Sequence, residues 1–137
     1  TVLDVRRIRE DQARAELAAA CYRERQEEER LTELRRQRVE LHRRIAEAPV
    51  ALSGAEVLAI ATTGQGLDLA IRDSRVQKEQ LSRERETKTE EAQMAISRRK
   101  MVEVLREKAW DRYQYETAAA TERQVDEMCS RRAGTPR

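Results

Sequence analysis

The sequence is poor in the residues that fill a compact globular core. None of its 137 residues is Phe, and aromatic residues make up only 3% of the chain. Charged residues reach 39%, so a core must be built from Leu, Ile, Val, Met and many Ala. Such a composition is typical of long helices. Scarce aromatics can also indicate disorder, but the nearly balanced charge and the high helix propensity favour helix.

The chain also has few of the groups that catalysis and metal binding use. Cys21 and Cys129 lack the spacing of a metal site, and His42 is the only histidine. Gly64-Gln65-Gly66 lacks the Lys and the Ser or Thr of a phosphate-binding loop. Long paired helices offer no concave site where catalytic groups could converge. We therefore expect a protein that is not an enzyme, with no cofactor, no metal and no small-molecule substrate.

The charge pattern does not favour nucleic acid or a membrane span. The net charge is +2, and basic and acidic residues alternate along both halves of the chain. A nucleic-acid-binding protein usually concentrates its positive charge, whereas mixed signs are typical of a solvated helix surface. No apolar run approaches the roughly 20 residues that cross a bilayer, and no signal peptide is visible. We expect no nucleic-acid partner and a cytoplasmic location.

Glycine and proline divide the chain into two long helices. Neither residue occurs in 1–48 or in 67–133, which predicts a first helix over about 2–48 and a second over about 67–131. The fold class expected is all-α: a long two-helix antiparallel coiled-coil hairpin with a short helical connection and a C-terminal helix overhang. We expect one domain over residues 1–133.

The predicted connection, residues 49–66, contains a helix start signal. Ser53-Gly54-Ala55-Glu56 has the pattern of a capping box, in which the Ser and Glu side chains each accept a hydrogen bond from the other residue's backbone N–H. This pattern predicts a short helix over 54–63 that ends before Gly64. The tail, residues 134–137, contains Gly and Pro and is expected to be disordered.

The positions of two polar stretches predict how the helices pair. Residues 23–30 and 82–91 contain no apolar side chain. If the first helix ends at 48 and the second begins at 67, the numbers of facing residues sum to about 115, so these polar stretches face each other. The predicted pairs are Ile45 with Ile71, Leu34 with Leu81, Cys21 with Met94, and Val5 with Trp110.

This register leaves the second helix unpaired beyond about residue 114. Three of the four aromatic residues lie near that point, and Trp110 and Tyr113 share one helix face. Two interpretations stay open at this stage. In the first, they close the open end of the hairpin against Val2, Val5 and Ile8. In the second, they form a docking surface, because Trp, Tyr and Arg are the usual anchors of protein interfaces.

Two segments of the chain resemble a known family. The first comprises residues 99–107 (Arg-Lys-Met-Val-Glu-Val-Leu-Arg-Glu), Tyr113, Glu116 and 122–127. The second comprises residues 3–10 (Leu-Asp-Val-Arg-Arg-Ile-Arg-Glu), Ala13 and 16–20. These segments resemble the C-terminal helix and the opening helix of FliJ, the small coiled-coil component of bacterial flagellar type III export.

The resemblance implies a specific set of partners. FliJ-like proteins form an antiparallel coiled coil similar to the central stalk of rotary ATPases. Their terminal end inserts into a hexameric export ATPase, and they contact the export gate membrane protein and substrate-specific export chaperones. The implied location is the cytoplasm, at the inner membrane beside the export apparatus.

On this sequence the implied ATPase-binding end comprises the first turns and residues 105–131, and the gate contact lies toward the hairpin half. The residues expected to contact partners are Arg106, Trp110, Arg112, Tyr113, Tyr115 and Arg123, with Leu67 and Ile71 toward the gate. Two alternatives remain: the equivalent stalk of an injectisome type III secretion system, or an unrelated coiled-coil adaptor or chaperone.

Overall fold

The computed structural model describes residues 1–48 and 50–134, and within these residues the chain forms two long α-helices and no strand. Helix α1 runs from Val2–Ala46 and helix α2 from Gly54–Ala133. The predicted all-α fold of two long helices is therefore confirmed. Of the predicted disordered tail only Gly134 is described, where its backbone N–H bonds to the Ser130 carbonyl at 3.0 Å. The rest of that tail lies outside the described residues.

The predicted capping box is present at the start of α2. The backbone N–H of Ser53 donates a hydrogen bond to Glu56 Oε2 at 2.7 Å, and the Glu56 N–H donates to Ser53 Oγ at 3.3 Å. The first of these bonds lowers the pKa of the Glu56 carboxyl below its usual value. Together the two bonds satisfy backbone groups that a helix N-terminus leaves without partners. Helix α2 therefore begins directly after Ser53.

The prediction of a separate short helix over 54–63, with a second long helix starting near 67, is wrong. Helix α2 continues without interruption through Gly64 and Gly66, and no described glycine has a positive φ. One or two glycines, at about 1 kcal/mol each, do not stop a helix whose neighbouring turns pack against another helix. Gly64 is buried: a Cβ added there would lie 3.6 Å from Leu41 Cδ2. The connection is therefore residues 47–53 instead of 49–66.

The described chain groups into two compact units, and each contains part of both helices. We call residues 11–94 the hairpin unit. We call residues 1–10 together with 95–134 the terminal unit. Within the described part of the chain, the prediction of a single domain over residues 1–133 stays a prediction.

Ion pairs show that the helices of the hairpin unit run antiparallel. Asp68 accepts from Arg38 Nε at 2.7 Å, and Glu28 accepts from Lys78 Nζ at 2.9 Å. A residue ten positions earlier on α1 thus pairs with a residue ten positions later on α2, so the two helices run in opposite directions. Four further contacts between the two helices in this unit agree with this direction to within about two helical turns: Glu27–Ser74, Glu24–Arg85, Arg23–Glu84 and Glu16–Lys88.

The predicted register is wrong, because the predicted connection was too long. Arg38–Asp68 and Glu28–Lys78 each have residue numbers that sum to 106, where 115 was expected. The connection is centred on residue 50, since α1 ends at Ala46 and α2 begins at Gly54. The four predicted pairs are consequently displaced by about five to ten positions. The pairs concerned are Ile45–Ile71, Leu34–Leu81, Cys21–Met94 and Val5–Trp110.

The predicted meeting of the polar stretches 23–30 and 82–91 occurs only in part. Arg23 and Glu24 pair with Glu84 and Arg85, at 2.7 and 2.6 Å. The rest of the first stretch faces earlier residues of α2, as the register requires. Exposed ion pairs contribute only about 0–1 kcal/mol each. The buried apolar side chains of this unit are few and mostly small: Ala20, Leu31 and Ala92.

A glycine substitution tests the continuity of α2. Gly66→Ala should raise the free energy of unfolding by about 0.5–1 kcal/mol, because Ala favours helix and less backbone entropy is lost on folding. The added Cβ would meet no heavy atom within 4 Å. Urea denaturation followed by circular dichroism measures the change. The reverse substitution at an exposed helical position, Ala61→Gly, is the matched control and should lower stability by a similar amount. Destabilisation by Gly66→Ala would mean that α2 is interrupted there.

The buried leucine of the hairpin unit offers a second test. Leu31 is 4% exposed and Leu69 is 57% exposed. Leu31→Ala should cost about 2–4 kcal/mol, because it removes buried methyl groups and leaves a cavity. Leu69→Ala should change stability by no more than about 0.5 kcal/mol. Equal effects of the two substitutions in thermal or urea denaturation would contradict the burial of Leu31 between the helices and the exposure of Leu69.

Candidate partner-binding surface

The last thirty residues of α2 form an exposed helix surface. Every residue from Val104 to Ala133 is exposed except Ala119, which is partly buried. In this unit paired residue numbers sum to about 110, as in Arg7–Glu103, so Val2 lies opposite about residue 108 of α2. Among the described residues, those of α2 beyond this point have no counterpart on α1, in agreement with the predicted overhang. We call residues 104–133 the C-terminal segment.

An open groove lies where α1 begins. Two residues of α1 and six of α2 line it: Leu3, Arg7, Glu103, Arg106, Glu107, Ala109, Trp110 and Tyr113. Its cavity volume is about 770 Å³. The Trp110 and Tyr113 rings stack with centroids 5.8 Å apart and an interplanar angle of 30°. Offset aromatic pairs of this kind present a large apolar surface that changes shape little.

The two aromatic residues do not close the hairpin as a packed core. Trp110 is 58% exposed and Tyr113 is 57% exposed. Val2, Val5 and Ile8 are exposed as well, and the buried apolar residue at this end of α1 is Leu3. The first interpretation of the aromatics is thus wrong, because neither the two rings nor the three aliphatic residues expected against them are buried. The geometry instead leaves both rings accessible to a partner.

A charge network fixes the helices directly beside the groove. Glu10, which is only 4% exposed, accepts a hydrogen bond from Arg99 Nε, and Arg99 Nη1 donates to Glu103 Oε2 at 2.6 Å. Arg7 lies 3.7 Å from the other oxygen of Glu103. The hydrogen bond to Glu10, followed by that to Glu103, raises the pKa of the Arg99 guanidinium. A buried carboxylate without its partner is strongly destabilising, so this network favours one register near the groove.

The six residues predicted at this end divide between different faces of the helix. Arg106, Trp110 and Tyr113 lie together in the groove. Arg112, Tyr115 and Arg123 are exposed on α2 but line neither this groove nor the shallow one further along, formed by Ala118, Thr121, Glu122, Val125 and Asp126. Tyr115, two residues after Tyr113, is turned about 200° away from it around the helix.

The two residues predicted to contact the gate are not freely exposed. Leu67 and Ile71 are both partly buried, and Leu67 lines a groove with Gln37 and Leu41 of α1. The register explains this position, because it turns that face of α2 toward α1. Whether they contact a partner stays a prediction.

Sequence reasoning missed the exposed aliphatic residues of the hairpin unit. Those nearest the connection are Val50, Leu52, Val57 and Leu58, and those further along α2 are Leu69 and Val76. A signal for the first group was present, since only one charged residue occurs between Ala48 and Leu67 in a chain that is 39% charged.

Among residues 1–48 and 50–134, no three His, Cys, Asp or Glu side chains are grouped closely enough to hold a metal ion.

Within the same described ranges, neither helix contains a stretch that is long and apolar enough to span a bilayer.

Comparison with known proteins identifies the family. A family model described as "Flagellar FliJ protein" matches residues 1–137, which is the whole chain. No curated protein and no solved structure matches the chain. The match agrees with the two long helices and with the resemblance carried by residues 3–20 and 99–127. The chain belongs to the FliJ family and is a component of the flagellar export apparatus.

Proposed function

We propose that this chain is the non-enzymatic stalk of the flagellar type III export apparatus. Its terminal unit inserts into the hexameric export ATPase, and the chain links that ATPase to the export gate membrane protein and to substrate-specific export chaperones. The protein works in the cytoplasm, peripherally associated with the inner membrane at the export apparatus. The observation that carries this proposal is the C-terminal segment, a single helix exposed on nearly all sides.

The exposed helix suits insertion into a ring. Apolar residues on an unpaired helix remain in water until a partner covers them. In the C-terminal segment, Tyr115 is 78% exposed, Leu105 is 63% exposed and Met128 is 59% exposed. These residues lie on several faces, so a partner that surrounds the helix covers more of them than a partner that lies along one side.

The aromatic groove provides the most specific contact at this end. Arg106 and the stacked rings of Trp110 and Tyr113 combine the three residue types that carry most binding energy in protein interfaces. The neighbouring charge network holds the wall of the groove in place, because it joins Glu10 of α1 to Arg99 of α2. A preformed groove loses less conformational entropy on binding than a flexible one.

The family match favours the flagellar system over the injectisome stalk, because the matching model is a flagellar one and covers every residue. It also favours an export component over an unrelated adaptor. The contact with the gate through Leu67 and Ile71 remains part of the proposal, with the partial burial of both residues as a constraint on it.

Substitutions in the C-terminal segment test the ATPase contact. Arg106→Ala combined with Arg112→Ala and Arg123→Ala should weaken binding to the purified hexameric export ATPase by about tenfold or more, because it removes exposed charge anchors. Trp110→Ala combined with Tyr113→Ala should do the same by removing the apolar wall of the groove. Biolayer interferometry gives the dissociation constants, and swimming motility reports on export in cells.

The matched control replaces three exposed arginines of the hairpin unit, Arg25, Arg35 and Arg75, with Ala. This variant has the same change of net charge and should bind the ATPase like the unchanged protein. If both C-terminal variants bind normally and support motility, the terminal unit is not the ATPase-binding end.

A further inference from the structure

Two ion pairs between α1 and α2 are shielded from water. Glu10 accepts a hydrogen bond from Arg99 Nε in the terminal unit, and Glu24 Oε2 lies 2.6 Å from Arg85 Nε in the hairpin unit. The Glu10 side chain is only 5% exposed and the Glu24 side chain 18% exposed. In three pairs nearer the surface the carboxylate is more than half exposed: Arg38–Asp68, Lys78–Glu28 and Lys88–Glu16. We call Glu10–Arg99 and Glu24–Arg85 the seam pairs, because they lie where the helices meet.

The seam pairs recur with the same spacing on both helices. Glu10 and Glu24 are 14 residues apart on α1, and Arg85 and Arg99 are 14 residues apart on α2. Fourteen residues are two heptads, so the two members of each helix lie on the same face. The heptad between them has apolar residues at the equivalent positions, which are Leu17 on α1 and Ala92 on α2. Both of these residues are buried or partly buried.

The gain in stability does not explain why charges occupy these positions. Removing two charged groups from water costs free energy that their mutual attraction repays only with good geometry and further hydrogen bonds. Well-packed apolar residues of similar volume in place of a buried ion pair are often neutral or stabilising. A polar residue in the seam of a coiled coil can instead specify the alignment of the helices, at a cost in stability.

The spacing of the seam pairs disfavours alignments displaced by one heptad. Such a displacement keeps the same helix faces in contact and moves one helix about 10 Å along the other. In the hairpin unit, displacement in one direction would bring Glu24 opposite Ala92, and displacement in the other would bring Arg85 opposite Leu17. Either result leaves a charged group against an apolar residue and without its partner, which is strongly destabilising.

The alignment also determines the composition of the aromatic groove in the terminal unit. Leu3 and Arg7 of α1 line this groove together with Trp110 and Tyr113 of α2. Glu10 lies one helical turn after Arg7, so its pairing with Arg99 positions the first turns of α1 along α2. A displacement of one heptad in this unit would carry Leu3 and Arg7 about 10 Å away from their present places beside the rings.

We propose that the seam pairs are specificity determinants of the fold: they hold α1 and α2 in a single alignment, at the expense of stability that apolar residues would supply. The capping box and the short connection act at one end of the hairpin unit. Glu24 lies more than twenty residues before the end of α1 at Ala46, so its pair with Arg85 acts at a distance from that end. Glu10 and Arg99 perform the same role in the terminal unit.

The test replaces all four charges of the seam pairs in the full chain. The apolar-seam variant combines Glu10→Leu, Glu24→Leu, Arg85→Leu and Arg99→Leu. The matched control makes the same four changes of residue type in two exposed pairs that each lie within one helix: Glu33→Leu, Arg36→Leu, Glu79→Leu and Arg83→Leu. Thermal denaturation followed by circular dichroism gives the melting temperature of each protein.

Pulsed electron paramagnetic resonance measures the alignment in the same proteins. Cys21 and Cys129 are replaced by Ser, and spin labels are attached at Val39→Cys and Val76→Cys, two exposed positions of the hairpin unit. These positions are well separated along the helix axis, so a displacement of about 10 Å changes the distance between the labels in opposite senses for the two directions.

The unchanged seam and the control should each give one distance. The apolar-seam variant should melt at the same or a higher temperature and give two or more distances, because leucines accept displaced alignments that charges do not. A single distance in that variant, equal to that of the unchanged seam, would overturn the proposal. So would a lower melting temperature or loss of helix, which would make the seam pairs stabilising contacts. Equal broadening in the control would assign the effect to added leucine.

Discussion

The capping box at Ser53 and Glu56 is the local interaction on which the arrangement of the helices depends. The two reciprocal hydrogen bonds start α2 at Gly54, which limits the connection to residues 47–53. A short connection fixes the register, because only seven residues separate the end of α1 from the start of α2. The register then decides which face of α2 is buried in the hairpin unit. A start thirteen residues later would have moved every ion pair between the helices.

Residue types determined the features that could be predicted from the sequence. The absence of Gly and Pro from long stretches predicted two long helices, and the greater length of the second predicted an unpaired C-terminal end. The Ser53–Glu56 pattern predicted the cap, which the structure contains. The register could not be predicted, because it depends on whether Gly64 and Gly66 stop a helix. Packing between the helices decides this, and Gly64 stays helical because it packs beside Leu41 of α1.

The charge distribution gives the two candidate surfaces different chemistry. The aromatic groove of the terminal unit combines stacked rings with Arg7 and Arg106, so it can bind a partner through both apolar and charged contacts. Residues 50–58 of the hairpin unit expose mainly aliphatic side chains, and the single carboxylate among them caps α2. The two surfaces therefore suit different kinds of contact, the first with both charge and apolar burial and the second with apolar burial alone.

Distance measurement between spin labels tests the register most directly. Both native cysteines, Cys21 and Cys129, are first replaced by Ser. One protein then carries spin labels at Val39→Cys and Leu69→Cys, and a second carries them at Val39→Cys and Val76→Cys. All three positions are exposed and lie in the hairpin unit. By the register of Arg38 with Asp68, residue 39 lies opposite residue 67 of α2. Residue 69 is about two positions from residue 67, or roughly 3 Å along the helix, and residue 76 is about nine positions away, or roughly 13 Å. Pulsed electron paramagnetic resonance should give the shorter distance for 39 with 69. A shorter distance for 39 with 76 would contradict the account, because it would mean that α2 does not begin at Gly54.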